Sequence, residues 1–268
     1  MNQCSVSVII PYFEAADSIE ASLKSVFNQS LLPLEVIIVN DASSEEDFTR
    51  LIDIVSKYKN MKPDIHVYSD NVNRGASFCR NFAIERAKGD YLAFLDSDDV
   101  WHHDKLKIHY KFMERSGAKL SAHGYVHNLN VEEYPNIEDD SVVIVSRWDF
   151  VYRNPFFTPT VMAKRESFLL FDDRFRRVDD YKCWLENFEH ERCYLLGAKL
   201  AGGFKSPIGA SGLTGSLSKM HKAYLSVLET MYHERIISRV FYISAIIIEY
   251  VKLPLRYLKA WFGKVGRN

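Results

Sequence analysis

The 268-residue chain has little cysteine: Cys4, Cys79, Cys183 and Cys193 are scattered, with no CxxC pair among them. No basic, apolar and small-residue leader opens it. Both features point to reduced thiols in the cytoplasm. An excess of either charge is also missing, since 34 Lys plus Arg stand against 35 acids for a formal net charge of −1. That balance removes the global electrostatic case for nucleic-acid binding. No G-x-G-x-x-G follows the first apolar run, which argues against a dinucleotide oxidoreductase. Long apolar runs are absent too. The helical, apolar segment 223–251 is interrupted by Arg239 and Glu249, leaving 240–248 as its longest run free of charge, whereas spanning a bilayer needs roughly 20 residues.

What is present is a hydrophobic content of 47%, enough to bury a large core in one extended α/β domain or one domain plus an appendage. It excludes a disordered tail or a repeat array. "VSVIIP" (6–11) is a short apolar run stopped by proline, and Ile19, Leu23, Val26 and Phe27 then recur with helical spacing. "LEVIIVN" (34–40) is followed by Phe48, Leu51, Ile52 and Val55 at the same spacing, and "DIHVYS" (64–69) by a segment beginning at Gly75. A fourth run covers 91–95. Strands alternating with amphipathic helices predict a parallel sheet covered on both faces. Ligands of such sheets collect at the carboxyl ends of the strands.

Three polar loops converge on that edge: "PYFEA" after the first strand, "NDASS" after the second and "DSDD" after the fourth. Asp96, Ser97, Asp98 and Asp99 therefore sit where a ligand belongs. Carboxylates this close repel unless a cation stands among them, and hard oxygen ligands suit Mg²⁺ or Mn²⁺ bridging a phosphate. A helix N-cap is the plainer explanation, but one Asp would suffice for it. A second acidic pair, Asp179 and Asp180, opens a helix whose Tyr181, Trp184, Leu185 and Phe188 form an apolar stripe; acids at a helix start also complement its dipole.

The stretches "VSVIIPYFEAADSIEASLKSVFNQSLLPLEVIIVNDASS", "NRGASFCRN", "FLDSDD" and "FDDRFRRVDDYKCWLE" resemble, in order and spacing, glycosyltransferase family 2, the inverting enzymes of GT-A fold that use nucleotide sugars. The likeness covers about residues 5–190 and is of the bacterial surface-polysaccharide type. It implies a Rossmann-like, mostly parallel sheet flanked by helices as a catalytic domain over 1–220, with a helical, basic-amphipathic extension over 221–268. The implied donor is a nucleotide sugar, with a lean to UDP, and the implied acceptor a hydroxyl of a glycan or lipid-linked glycan. By the resemblance, Pro11, Tyr12 and Glu14 lie beside the nucleoside, and Asp41 accepts a hydrogen bond from a uracil-type imide or closes an Asx turn with Ser43 or Ser44. Arg80 and Asn81 line the nucleotide pocket, or Arg80 braces the acidic loop. Asp96 contacts the ribose with Ser97 beside it, Asp98 is the ligand of Mn²⁺ or Mg²⁺, and Asp99 is a supporting or capping residue. Asp180 is the general base toward the acceptor, and Asp179 stands where the family carries Glu. Phe13-Glu14 is a second departure, since many relatives have Tyr-Asn. Trp184 is either an acceptor-stacking ring or core.

"GASGLTGSLSKMH" (209–221) reads as a mobile lid over the leaving group, from which His221 could add a ligand or remain solvated. Two rival functions remain open. "AFLDSDDV" also fits the strand-DxDx[TV] pattern of haloacid dehalogenase-like phosphatases, with Asp96 as nucleophile, although that family places this strand first. A non-catalytic nucleotide-binding scaffold leaves Asp180 without purpose. In the tail, Lys252, Arg256, Lys259, Lys264 and Arg267 occur without an acid, and a helical projection puts Leu255, Leu258, Trp261 and Phe262 opposite the first four cations. That is the pattern of an interfacial helix holding the enzyme on the inner face of the cytoplasmic membrane. The alternatives are docking on the catalytic domain or a homodimer contact.

Overall fold

The computed structural model describes residues 3–129, 139–188, 193–203 and 216–265, the last seven by their backbone alone. Four parallel strands form the first half of the sheet: β1 (Val6–Tyr12), β2 (Glu35–Asp41), β3 (Asp64–Asp70) and β4 (Tyr91–Phe94), in the order β3-β2-β1-β4. Each of the four apolar runs became a strand. The crossovers are α1 (Ala16–Phe27), α2 (Glu45–Ser56) and α3 (Ala76–Ile84), as parallel pairing requires. Ile19, Leu23, Val26 and Phe27 are the buried stripe of α1. Ser44 caps α2 through the amide of Asp47, and Glu45, Glu46 and Asp47 in its first turn suit the positive end of the helix dipole.

Beyond β4 the sheet turns mixed. After β5 (Asp99–Trp101) and helix α4 (Lys105–Ser116) come β6 (Leu120–His127), β7 (Val142–Val145), the short helix α5 (Asp149–Tyr152) and β8 (Met162–Lys164). Helix α6 (Asp179–Asn187), β9 (Cys193–Gly203), α7 (Leu217–His233) and α8 (Arg239–Val265) complete the described elements. The order continues β4-β8-β6-β9-β5, with β7 on β9; β8 runs antiparallel to β4 and β6, and β9 parallel to β6. The architecture is α/β with a nine-stranded sheet flanked by helices.

The period of two along β1 splits the core. Ile9 joins Ile37, Phe94 and Trp184 on the face covered by α3, α6, α7 and α8, while Val8 and Ile10 join Leu23, Ile38 and Leu106 on the face covered by α1, α2 and α4. Val227, Leu228 and Met231 of α7 and Phe241 and Ala245 of α8 belong to the first of these cores. The helical segment expected as one run over 223–251 is two helices, broken at 234–238, where Arg235 takes a left-handed φ of 60°. Pro254 lies inside α8. All four cysteines are buried, and none forms a disulfide. Among the described residues, no helix is long and apolar enough to cross a membrane.

Candidate active site

The carboxyl ends of β1, β2 and β4 meet at one edge, and unusual backbone gathers there. Glu14 and Ala42 adopt left-handed φ values of 45° and 58°, and Val178, just before α6, one of 62°. For residues with a Cβ, and for a β-branched one above all, such angles persist only where surrounding contacts hold them. Those contacts are visible at the first loop. The Glu14 carboxylate accepts from the Ser44 amide at 2.6 Å and the Ser44 hydroxyl at 3.2 Å, and the Glu14 amide donates to Ser43 Oγ at 3.0 Å. Tyr12 is buried with its hydroxyl donating to Asp47, so its ring faces α2 and any nucleoside contact falls to its main chain. Pro11, beside it, is half-buried.

Asp41 is buried and binds the next loop: its two oxygens accept from the amides of Arg74 at 2.6 Å and Gly75 at 2.8 Å. The Asx turn expected with Ser43 or Ser44 is made instead by Asn40, whose Oδ1 accepts from the Ser43 amide at 3.2 Å. Gly75 takes φ +96° to open α3, a conformation that costs glycine little. The turn aims Arg80 inward.

Arg80 ties the two acidic pairs together. It is 6% exposed, with Nη2 2.7 Å from Asp96 and Nη1 3.4 Å from Asp179, and its guanidinium lies 5.3 Å from the Phe171 ring centroid. Burial opposes its charge, but Asp96 and Asp179 outweigh it and the pKa is raised. Bracing of the acidic loop is thus a role the geometry gives this residue. Asn81, expected beside the nucleotide, instead exchanges two 2.8 Å hydrogen bonds with the Phe171 main chain.

Within the acidic loop, Asp96, Ser97 and Asp98 are half-buried. Burial raises the Asp96 pKa, Arg80 opposes the rise, and the Asp98 charge adds to it. That mutual repulsion is the kind a divalent cation relieves. Asp99 has another task. It lies in β5, where Tyr125 donates to it at 2.6 Å, and only glycine fits beneath this pair: a Cβ on Gly203 would stand 2.2 Å from both Asp99 Oδ1 and the Tyr125 hydroxyl. Among the described residues there is no cluster of three or more metal-ligating side chains; an ion at such a loop would draw most of its ligands from a bound diphosphate and water.

The second acidic pair starts α6. Asp179 accepts from Ser77 Oγ at 2.5 Å as well as from Arg80. Asp180 accepts from Asn154 Nδ2 at 2.9 Å and faces a cavity of about 430 Å³ walled by Phe156, Tyr181, Met220 and Tyr224. Part of its surface opens to that cavity, yet the dense protein around it, then the charge of Asp179, raises its pKa to about 7. A carboxyl poised there can exchange a proton near neutrality. Trp184 is fully buried against Phe94, Phe168 and Phe171, so it is core and not an acceptor platform.

His221 also differs from expectation. It lies in α7, buried, with Nδ1 3.1 Å from Glu249 of α8, and does not belong to a loop over the acidic edge. Of the expected lid, 209–215 falls outside the described residues. Asn154 and the cavity residues Arg153, Lys252 and Arg256 had no sequence signal linking them to Asp180. The Asn-Pro pair at 154–155 marks a turn, but only the fold carries that turn to the start of α6.

The mixed α/β sheet flanked by helices is a fold of GT-A type. The solved TarS 1-349 of S. aureus in complex with UDP has the same fold, with TM-score 0.65 at 20% identity over 86% of this chain and 65% of that one. TarS 1-349 in complex with UDP-GlcNAc aligns similarly, at TM-score 0.66. The chain belongs to glycosyltransferase family 2: the model described as "Glycosyl transferase family 2" matches residues 7–177. It is 46% identical over 120 residues to TuaG of Bacillus subtilis (strain 168), named for teichuronic acid biosynthesis, covering 45% of this chain and 46% of that one. It is 34% identical over 197 residues to the amylovoran biosynthesis glycosyltransferase AmsB of Erwinia amylovora, covering 68% and 63%. A third relative, WfaP of Escherichia coli, named a UDP-Glc:alpha-D-GlcNAc-diphosphoundecaprenol beta-1,3-glucosyltransferase, is 36% identical over 120 residues, 45% of each chain. The chain thus spans about half the length of the Bacillus and Escherichia relatives. The family match leaves the phosphatase alternative without support, and Asp96, held by Arg80, is no free nucleophile.

Proposed function

We propose that this chain is an inverting glycosyltransferase that moves a sugar from a UDP-sugar to a hydroxyl of a glycan or lipid-linked glycan acceptor, in the assembly of a bacterial surface polysaccharide. The observation that carries the reading is Asp180, a carboxyl of raised pKa at the mouth of a cavity, linked through Asp179 and Arg80 to the acidic loop at Asp96. The UDP and UDP-GlcNAc complexes of TarS and the names of the relatives support the choice of donor and acceptor class.

In this mechanism Asp180 takes the acceptor hydroxyl proton as the acceptor oxygen bonds to the anomeric carbon. The bond from that carbon to the diphosphate breaks on the opposite side, its electron pair leaving with the diphosphate, and configuration inverts. Asn154 orients the base, and general base catalysis contributes ~10²–10⁴-fold in rate. Asp98 would hold Mn²⁺ or Mg²⁺, which when bound neutralises charge on the departing diphosphate. Asp96 and Ser97 would meet the ribose, and Pro11, Tyr12, Glu14 and Asp41 would border the base. Asp41 can still accept from an imide, because a carboxylate has about four lone-pair sites and the two loop amides use only part of them.

The work site is the inner face of the cytoplasmic membrane. Val240, Ile243, Ile247, Val251, Leu255 and Leu258 of α8 are all exposed, recur at helical spacing and form an apolar face longer than the tail projection alone suggested. The acid-free cationic segment from Lys252 onward complements anionic lipid. A donor screen tests the function: nucleoside diphosphate release across UDP-, GDP- and dTDP-sugars with Mn²⁺ or Mg²⁺ should favour UDP-sugars. Release from none of them would remove the reading.

A further inference from the structure

The cavity beside Asp180 carries more positive charge than a general base requires. Among the described residues, Arg153, Lys252 and Arg256 line it against two carboxylates, Asp180 and Glu249. Glu249 is already satisfied: it is 2% exposed, takes Arg256 in a fork at 2.6 and 3.0 Å, and faces His221 at 3.1 Å. Among the described residues, neither Arg153 nor Lys252 makes a side-chain hydrogen bond or an ion pair within 4.0 Å. Lys252 is half-buried and Arg153 is exposed at the rim; burial, then the charge of Arg256, lowers the Lys252 pKa, and Glu249 opposes the fall. A half-buried cation beside an exposed arginine, with the nearest acid already forked to Arg256, favours an anionic ligand.

The same helix supplies the second clue. Glu249, Lys252 and Arg256 recur at intervals of three and four residues on the α8 face that lines the cavity, while Ile243, Ile247, Val251 and Leu258 occupy exposed positions on that helix. One helix therefore joins an anion-seeking cavity to an apolar surface.

We propose that this cavity is an acceptor subsite in which Arg153 and Lys252 hold a phosphate ester carried by a lipid, with the glycan hydroxyl toward Asp180 and the hydrocarbon leaving along α8. The assignment rests on the glycosyltransferase function proposed above. A phosphate at the junction of sugar and lipid satisfies both halves of the helix, whereas a free phosphate would use only the cations. Phe156 and Tyr224 give the sugar apolar and aromatic walls between the anion and the base.

The test is equilibrium binding to the full chain of three probes below their micelle concentrations: dodecyl phosphate, uncharged dodecyl glucoside and inorganic phosphate. Dodecyl phosphate should bind the unaltered protein at least about 10-fold more tightly than it binds the Arg153→Ala/Lys252→Ala variant, the scale of a lost charge-assisted contact. Lys252→Arg should retain most of the affinity, and dodecyl glucoside should not distinguish the proteins. A thermal midpoint within error of the unaltered protein qualifies each variant, and Lys252→Gln replaces the double variant if that one unfolds. Inorganic phosphate binding as tightly as dodecyl phosphate would overturn the lipid-borne assignment, and equal dodecyl phosphate binding to all variants would overturn the subsite. A protein that releases UDP yet shows no such discrimination loses the subsite but keeps the transferase function. One that discriminates but releases no UDP loses that function, and the acceptor role with it.

Discussion

Replacing Arg80 with methionine keeps an apolar stem beside Phe171 but removes the cation that Asp96 and Asp179 share at 2.7 and 3.4 Å. Losing one partner of a buried ion pair costs about 3–5 kcal/mol. Because 30% of the Asp96 side chain is exposed, water can recover part of that charge, and the low end, about 3 kcal/mol, is expected. The deficit should also depend on pH. Burial already raises the pKa of Asp96 and Asp180 with Arg80 present; Arg80 opposes the rise at Asp96, and at Asp180 it does so after the Tyr181 backbone amide. Without it their folded pKa values rise further. A carboxylate whose folded pKa exceeds its unfolded value costs nothing at low pH, and its cost grows as pH climbs from the unfolded value, near 4, toward the folded one. Urea unfolding of Arg80→Met in EDTA, followed by fluorescence of the buried Trp101 and Trp184, should therefore show a deficit smaller by at least about 1 kcal/mol at pH 5.5 than at pH 8. An equal deficit at both values, or none, would refute the bridging role.

Three further outcomes are expected. Asp98→Ala should abolish the metal-dependent part of UDP binding while leaving the fold intact, and titration calorimetry with Mn²⁺ that finds this part unchanged would count against the ligand assignment. Lys105 is fully buried, its Nζ lacks a hydrogen-bond partner and sits 3.9 Å from the Trp101 ring, and burial lowers its pKa to about 7. Since its unfolded value is near 10.4, the unfolded chain binds more protons between pH 7 and 10, so Lys105→Met should stabilise by several kcal/mol near pH 7 and progressively less toward pH 10; a pH-independent difference in urea midpoints would contradict this. Ile247→Asp/Val251→Asp should reduce pelleting with anionic vesicles, and high salt should partly release the unaltered protein; unchanged pelleting of the variant, or a stable dimer that ignores vesicles, would remove α8 from membrane binding.

The first half of the fold was legible because each parallel strand is a short apolar run and each crossover helix carries its own stripe, as in Ile37 to Val39 and Leu23 to Phe27. The second half was not, since β6, β8 and β9 pair across long sequence separations and β9 mixes glycine and polar residues with its apolar ones. The acidic loop was visible from local density of charge alone. Its coupling to α6 through Arg80 was not, because residues 80, 96 and 179 meet only when α3 and α6 cover the same sheet face. His221 misled for a related reason: a glycine-rich approach suggested a loop, but the helix beyond it buries the imidazole against Glu249.

The proposed transfer turns on Asp180, and sugar transfer from a UDP-sugar, measured across pH, tests it. With acceptor and Mn²⁺ saturating, the rate of the unaltered protein should rise with pH as the Asp180 carboxyl, raised to about 7 in the unliganded protein, ionises. Asp180→Asn should bind the donor normally, transfer at least ~10²-fold more slowly and lose that rise. Near-normal transfer by Asp180→Asn with the pH profile intact would contradict the assignment of the base and the mechanism built on it.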